Sequence, residues 1–513
     1  MTIKNVRNLR RLSQIVFFLI FFWLILKTNF EVNFDASNFG EIYLPYPVSI
    51  ALQFDPLTAL GVMLATRSLY QGLLWALVIL IPTIFLGRFF CGWVCPLGTL
   101  NHLISEIPSG RLRRKGESII DSNRYKKYQR IKYYIFFFFL TAALVGTLQI
   151  GLLDPLPFLA RSLGIAVLPT LHTAAASLLQ WVKSFDISEL SAVSQFVYNV
   201  ISPFLLAFRQ VHFHAIFSIG LLLIIVLLLN RIFTRFWCRG ICPLGAMLGL
   251  FSRYAIFGLK KDESVCNSCN KCLVHCQGAD NPDIGSVWRQ AECHLCLNCQ
   301  VVCPESALKF KFFPAQKDSV ANPTGTPVVD ISRRKVIASL AGGALLLPLI
   351  RSGDVLSVNA NPLLIRPPGA ESEERFLARC IRCGQCMRVC PNNALHPTFL
   401  EAGLEGIWSP ILIPRIGYCE LTCTLCGQAC PTGAITELTL KKKLGDEATP
   451  PTRIGTAFID KGRCLPWAMA KSCFICKRWC PTRAIYSREE NVYDRLGTPI
   501  AVKQPQVDLY EAL

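Results

Sequence analysis

Cys266-Asn267-Ser268-Cys269-Asn270-Lys271-Cys272-Leu273-Val274-His275-Cys276 is followed by a second run, Cys293-His294-Leu295-Cys296-Leu297-Asn298-Cys299-Gln300-Val301-Val302-Cys303, closed by Pro304. Both runs space their thiols as C-x2-C-x2-C-x3-C. Three thiolates on one tight loop can hold three corners of a cubane, and the fourth cysteine of each run then ligates the other cluster. The pattern predicts one [4Fe–4S] cluster on Cys266, Cys269, Cys272 and Cys303, and another on Cys276, Cys293, Cys296 and Cys299. Zinc also takes Cys-x-x-Cys pairs, but it needs two pairs rather than three close thiols and a remote fourth. Residues 259–313 therefore read as a two-cluster ferredoxin module of the bacterial α+β type.

Three more quartets follow. Cys380, Cys383, Cys386 and Cys390 repeat the standard run; Cys419, Cys423, Cys426 and Cys430 widen its first gap by one; Cys464, Cys473, Cys476 and Cys480 widen it to eight intervening residues. Ala394-Leu395, Ala434-Ile435 and Ala484-Ile485 then suit the start of a strand. The exchange rule pairs Cys419, Cys423, Cys426 with Cys480, and Cys464, Cys473, Cys476 with Cys430. The Cys380 quartet is left over: either Cys390 closes its own cluster or a partner loop is missing. The count is about five clusters. Twenty of the 24 cysteines are then ligands, which excludes a disulfide scaffold of the small secreted kind.

The rest of the chain is apolar. Hydrophobic residues make up 52% of its 513 positions, and the mean hydropathy is +0.39. Four stretches, 11–29, 70–90, 132–152 and 212–231, have about the ~20 residues a bilayer needs. The net charge of +19 does not indicate nucleic acid, because the basic residues gather beside these stretches. Lys4, Arg7, Arg10 and Arg11 precede the first; the next loop, 31–56, has four acids and no Lys or Arg; the following one carries Arg111, Arg113, Arg114, Lys115, Arg124, Lys126, Lys127, Arg130 and Lys132. Positive-inside topology then alternates in, out, in, starting from a cytoplasmic N-terminus. Segment 163–182, with Pro169, His172 and several hydroxyls, reads as a periplasmic or interfacial helix.

An internal repeat organises these spans. Arg88-Phe89-Phe90-Cys91-Gly92-Trp93-Val94-Cys95-Pro96-Leu97-Gly98 returns 147 residues later as Arg235-Phe236-Trp237-Cys238-Arg239-Gly240-Ile241-Cys242-Pro243-Leu244-Gly245, and Asp55-Pro56-Leu57 returns as Asp154-Pro155-Leu156. The fold class is a membrane α-helical part, a duplicated two-helix unit with four or five spans, plus the ferredoxin modules. C-x-x-x-C sets two thiols one helical turn apart. Cys91, Cys95, Cys238 and Cys242 thus form a candidate metal or iron–sulfur site, or a dithiol relay, at the membrane edge. The plainer reading makes Cys-Pro-Leu-Gly a helix-ending turn with buried, inert thiols.

Residues 314–365 hold a linker (314–327) and a basic-then-apolar segment. Arg333-Arg334-Lys335 introduces the apolar run 336–350, and Val358-Asn359-Ala360 has the small residues of a processing site. The segment is either an export signal or a fifth span. Asp55, Asp154, His212 and His214 lie near the outer ends of the spans, where oxidation of a quinol would release protons; capping is the competing role for each aspartate.

The span, Cys-x-x-x-Cys-Pro and two-cluster plan of residues 1–258 and 259–313 resembles the membrane ferredoxin NapH, a plan shared by NosR and CcoG. Residues 366–513 resemble the polyferredoxin NapG, through Ser332-Arg333-Arg334, Arg366-Pro367-Pro368-Gly369-Ala370 and Arg379-Cys380-Ile381-Arg382-Cys383-Gly384-Gln385-Cys386. NapG-type domains carry four quartets where this one carries three. The resemblance implies a NapH–NapG fusion in a bacterial inner membrane, with the first ferredoxin module cytoplasmic and the second domain periplasmic. Quinol from the membrane quinone pool would be its substrate, and a periplasmic reductase or small c-type cytochrome its acceptor. The NosR and CcoG likeness implies an alternative, an assembly or redox-sensing factor for a respiratory metalloenzyme.

Overall fold

Proline sets where the helices begin. Pro56, Pro96, Pro155 and Pro243 each open a helix (Pro56–Thr66, Pro96–Glu106, Pro155–Arg161 and Pro243–Ser252), where a missing N–H costs nothing. They occupy matching places in the two halves of the repeat, so the duplication is visible as structure. In the first half Pro56–Thr66 is followed by Gly72–Leu86, the short Phe89–Trp93 and Pro96–Glu106. In the second, Pro155–Arg161 runs through a π turn, Ser162–Val167, into Leu168–Lys183, and Ile216–Ile232, Trp237–Ile241 and Pro243–Ser252 follow.

The computed structural model describes residues 3–28, 43–44, 46–70, 72–106, 117–183, 212–283, 286–313, 329, 331–352, 364–446, 450–480, 483–493 and 498–508. Half of the acidic 31–56 loop, the basic residues 111–115, the 314–327 linker and Val358-Asn359-Ala360 lie outside the described residues. The chain forms two compact units, one of residues 1–364 with 369–437 and one of residues 365–368 with 438–513.

Helix lengths differ from the four-span expectation. Among the described residues two helices are long and apolar enough to cross a membrane, Asn5–Lys27 and Pro155–Val182. The second contains segment 163–182, expected as a periplasmic or interfacial helix. The π turn shifts the hydrogen-bond register just before Pro169, so the helix absorbs the missing N–H and continues. The other three expected spans are carried by helices of 15, 14 and 17 residues (Gly72–Leu86, Ile131–Leu144 and Ile216–Ile232), each below the ~20 of a simple crossing.

In the first unit the helices share one apolar core, including Ile25, Leu57, Leu148, Phe158, Trp237 and Leu248; Ile381 and Cys383 of a cluster loop belong to it as well. Phe158 stacks on Trp237 across the repeat at 5.0 Å. The helix Arg333–Ser352 lies along Ile131–Leu144, with Gly343 against Phe138 and Thr141. The strands Phe257–Lys261 and Leu308–Phe312 pair antiparallel around the first two cysteine runs. Leu395–Pro397 and Pro410–Leu412 pair beside the third. The helix Ile3–Lys27 touches both cluster regions: Arg10 donates to Asn298 at 3.5 Å, and Arg388 donates to the Thr28 carbonyl at 3.0 Å. Eighteen residues of helix separate these contacts by about 27 Å.

The second unit is built on the long hairpin Ile485–Tyr493 and Pro499–Val507. Trp467, on the short helix Leu465–Ala468, donates its indole N–H to Pro505 at 3.0 Å.

Candidate cluster sites and their docking faces

A backbone that wraps a cluster must turn its N–H groups inward, which requires left-handed residues where L side chains are disfavoured. The three standard runs share such bends. Ser268 and Asn270, Leu295 and Leu297, and Arg382 and Gly384 flank the second cysteine of their runs at positive φ. A further left-handed residue follows the last cysteine of every run: Ala279, Ser306, Asn393, Gly433 and Arg483. Strain repeated at non-glycine residues persists only where a site over-determines it. The loops therefore fit the cubanes that the spacing implies.

The first two runs converge. Cys266, Cys269, Cys272 and Cys303 line one cavity of about 230 Å³. Cys276, Cys293, Cys296 and Cys299 form a second, fully buried group beside Asp280, which accepts from Cys276 at 2.7 Å and from Trp288 at 2.8 Å. Burial raises the Cys276, Cys293 and Cys299 thiols well above their usual range, and the neighbouring Asp280 charge adds to it. Four thiolates in such a place need cationic iron to stabilise them.

The later runs meet differently from the pairing written from spacing. Cys430 lines a cavity with Cys380, Cys383 and Cys386, and Cys390 faces Cys419. The Cys390 loop also packs on Gly417, close to Cys419, Cys423 and Cys426. The last cysteines of these two runs thus lie each beside the other run, while Cys464, Cys473, Cys476 and Cys480 lie in the other unit. The cause is proximity: the short helices Gln385–Arg388 and Leu425–Gln428 pack on each other within one unit. Among the described residues no three His, Cys, Asp or Glu side chains converge tightly enough for a single metal ion.

Cys91, Cys95, Cys238 and Cys242 are buried and electrostatic neighbours of one another. Cys-Pro-Leu-Gly starts a helix here rather than ending one: the Cys95 and Cys242 sulfurs accept from Gly98 and Gly245 N–H at 3.4 and 3.2 Å. Asn101 donates to the Cys238 sulfur at 3.6 Å, and Arg88 reaches the Cys91 sulfur at 3.9 Å. Arg235, the repeat counterpart of Arg88, is wholly buried and leaves Nε and Nη2 without a partner. Two buried guanidiniums and two helix N-termini facing four thiols make an electropositive seat for thiolates.

Each face of the helical unit presents a glycine to a cluster loop. A Cβ on Gly92 would stand 2.1 Å from the His294 carbonyl oxygen, and one on Gly151 would stand 2.2 Å from that of Ile381. His294 and Ile381 each follow the first cysteine of a run. Trp93 adds a 3.0 Å bond to the Leu295 carbonyl, and Arg161 a 2.9 Å bond to that of Arg382.

A family profile described as a 4Fe-4S binding domain matches residues 69–115, 212–262 and 426–445, and a second of the same description matches 376–396. Over 162 residues the chain is 35% identical to the methylamine utilization ferredoxin-type protein MauM of Methylorubrum extorquens, covering 30% of this chain and 68% of that one. The chain belongs to the MauM family of ferredoxin-type proteins. It is 31% identical to the ferredoxin-type protein NapG of Escherichia coli over 147 residues, covering 28% of this chain and 60% of NapG. YccM of Escherichia coli matches at 24% over 307 residues, covering 59% of this chain and 73% of YccM. The chain thus spans between 60% and 73% of the length of these relatives. No solved structure matches it. As a MauM-type ferredoxin, the chain is an iron–sulfur electron-transfer protein.

The four polar residues singled out beside the MauM-type cysteines fall into two places. Asp55 and Asp154 are wholly buried N-caps that accept from Leu57 and Leu156 N–H at 3.0 and 3.3 Å. Their carboxyls also face each other. Burial raises both, and Asp154 well above the carboxylate range, with the Asp55 charge next in effect. His212 and His214 sit elsewhere, against the loops of the third cysteine run: Asn393 donates to the His212 carbonyl at 2.9 Å, and the His214 ring lies 4.9 Å from His396. Arg88, Arg235, Asn101, Tyr70 and His396 went unnoticed in the sequence; the repeat offered a signal for the arginines alone.

Proposed function

We propose that the chain is a membrane-bound quinol dehydrogenase module, a NapH-type membrane ferredoxin fused to a NapG-type polyferredoxin. One observation carries this reading: two cluster modules dock at opposite ends of a single apolar helix, separated by about the ~30 Å of a bilayer core. The module of residues 259–313 would face the cytoplasm and the later one the periplasm. The packing of Arg333–Ser352 against Ile131–Leu144 favours a retained fifth span over a cleaved signal. Partners would be the membrane quinone pool and a periplasmic reductase or small c-type cytochrome.

Cluster ligands are proposed as Cys266, Cys269, Cys272 and Cys303; Cys276, Cys293, Cys296 and Cys299; Cys380, Cys383, Cys386 and Cys430; Cys390, Cys419, Cys423 and Cys426; and Cys464, Cys473, Cys476 and Cys480. Bound there, [4Fe–4S] groups supply one-electron carriage. The protein's own residues seat the thiolates, exclude water from them and accept a proton of quinol oxidation, with the Asp55–Asp154 pair as acceptor. Cys91, Cys95, Cys238 and Cys242 would hold one further iron–sulfur group or relay electrons as dithiols.

The test adds a quinol analogue to the purified, anaerobic full chain and follows cluster reduction by EPR. Reduction within seconds is expected; absence of any reduction, with the clusters still reducible by dithionite, overturns the quinol reading. The assembly-factor alternative needs thiols that reach a partner, and burial of Cys91, Cys95, Cys238 and Cys242 weighs against it.

A further inference from the structure

The duplication brings the two Asp-Pro corners together. Asp55 uses Oδ1 for the Leu57 N–H and Oδ2 for the Thr58 hydroxyl at 3.2 Å. Asp154 uses Oδ1 for the Leu156 N–H, while its Oδ2 is buried with no donor. The group it meets is the Asp55 carboxyl, itself an acceptor. Two carboxyl oxygens attract each other only with a proton between them. Asp55, with donors on both oxygens, is then the anion and Asp154 the acid.

Tyr70 lies against the loop that lines the cavity of Cys380, Cys383, Cys386 and Cys430. Its hydroxyl donates to the Pro431 carbonyl at 2.5 Å, and the charges of both Cys430 and Asp55 act on it. The cavity loop lies over the corner that leads into Asp154, through Gly151 against Ile381 and Gln385 donating to the Ala160 carbonyl at 3.4 Å. Other charges near the pair are engaged elsewhere. Arg161 donates to the Leu152 and Arg382 carbonyls, and Arg382 to those of Leu148, Glu405 and Ile407. The helix Glu373–Arg379 buries only Phe376, Leu377 and Ala378, and Lys132 and Tyr133 on Ile131–Leu144 bond Glu292 at the other face. Among the described residues the hydrogen bonds to the two carboxyls come from Leu57, Thr58 and Leu156, none of them a cation.

We propose that Asp55 and Asp154 hold a single proton between them and that this pair titrates together with the Cys380, Cys383, Cys386 and Cys430 site, Tyr70 linking the two. One electron passed to that site by a one-electron reductant is balanced by one proton taken from solvent by the Asp55 carboxylate, which becomes an acid beside Asp154. When the electron leaves, the proton leaves Asp55. This rests on the cluster assignment above and not on the identity of the electron donor.

The full chain, its clusters reconstituted anaerobically, is titrated by EPR at several pH values, with Cys383→Ser identifying the signal of this site. Where the pair titrates, the reduced-to-oxidised ratio at fixed potential should fall up to tenfold per pH unit, a shift of about 59 mV for a one-electron couple. Asp154→Asn and Asp55→Asn should flatten that slope, and Glu305→Gln, at the other module, should keep it. In native protein, which needs no variant to fold, infrared difference spectra on reduction should gain a carboxylic acid band. A pH-independent potential, a slope surviving both aspartate changes, or no carboxylic band overturns the proposal. An iron content lacking this cluster instead overturns the cluster assignment, a distinct result.

Discussion

Glu292 holds together a buried charge group that no motif announced. It accepts from Tyr133 at 2.8 Å, pairs with Arg88 at 3.6 Å and bonds Lys132, all three partners being buried. In the sequence Lys132 counted only as one more positive flank of a span. Its true place depends on a contact across 160 positions, which spacing cannot show. Glu292→Gln strands two buried cations and should cost about 3–5 kcal/mol, read as a fall in unfolding temperature of the full chain. Replacing Glu292 and Lys132 together by methionine should recover part of that loss. His396 gives a pH-dependent counterpart. Burial holds its imidazole down at about 4 against an ordinary 6.5. The unfolded chain therefore binds a proton first as pH falls, so stability present above pH 6.5 declines towards pH 4. His396→Asn should flatten that limb in a denaturation series.

The loops were the most legible elements, because cysteine spacing encodes their geometry directly. Within residues 259–313 two adjacent runs leave one choice of exchange partner, and Cys303 lines the cavity of Cys266, Cys269 and Cys272. With three runs, spacing cannot tell which two helices pack together; Gln385–Arg388 packs on Leu425–Gln428. Cys430→Ser should abolish the same EPR signal as Cys383→Ser, and leave that of Cys473→Ser intact; loss of the Cys473 signal would restore the exchange inferred from spacing. The docking glycines test the faces. A side chain on Gly151 meets backbone rather than a yielding side chain, so Gly151→Val should cost at least the ~1–3 kcal/mol of overpacking. It should also lower iron content by about one cluster, whereas Gly146→Val, which meets nothing within 4 Å, should keep its iron while carrying the strain of a left-handed position.

For the whole molecule, hydropathy marked apolar stretches but could not give helix lengths, since left-handed Gly87 and Gly146 lie just past the ends of Gly72–Leu86 and Ile131–Leu144. Topology is tested by reporter fusions: alkaline phosphatase should be inactive when joined after Phe313 and active when joined after Leu513. The mass of the mature protein should include Arg333. The helix Ile3–Lys27 adds a further consequence. It is pinned near its midpoint by Gln14 on the Gly92 carbonyl at 2.8 Å and just past its C-terminal end by Arg388 on that of Thr28. It therefore fixes a rotational phase as well as a length. One residue inserted between these pins would turn one end about 100° against the other while adding only about 1.5 Å. The two docking faces are geared to each other through a single shaft, and an indel far from any cysteine should unseat one set of clusters and spare the other.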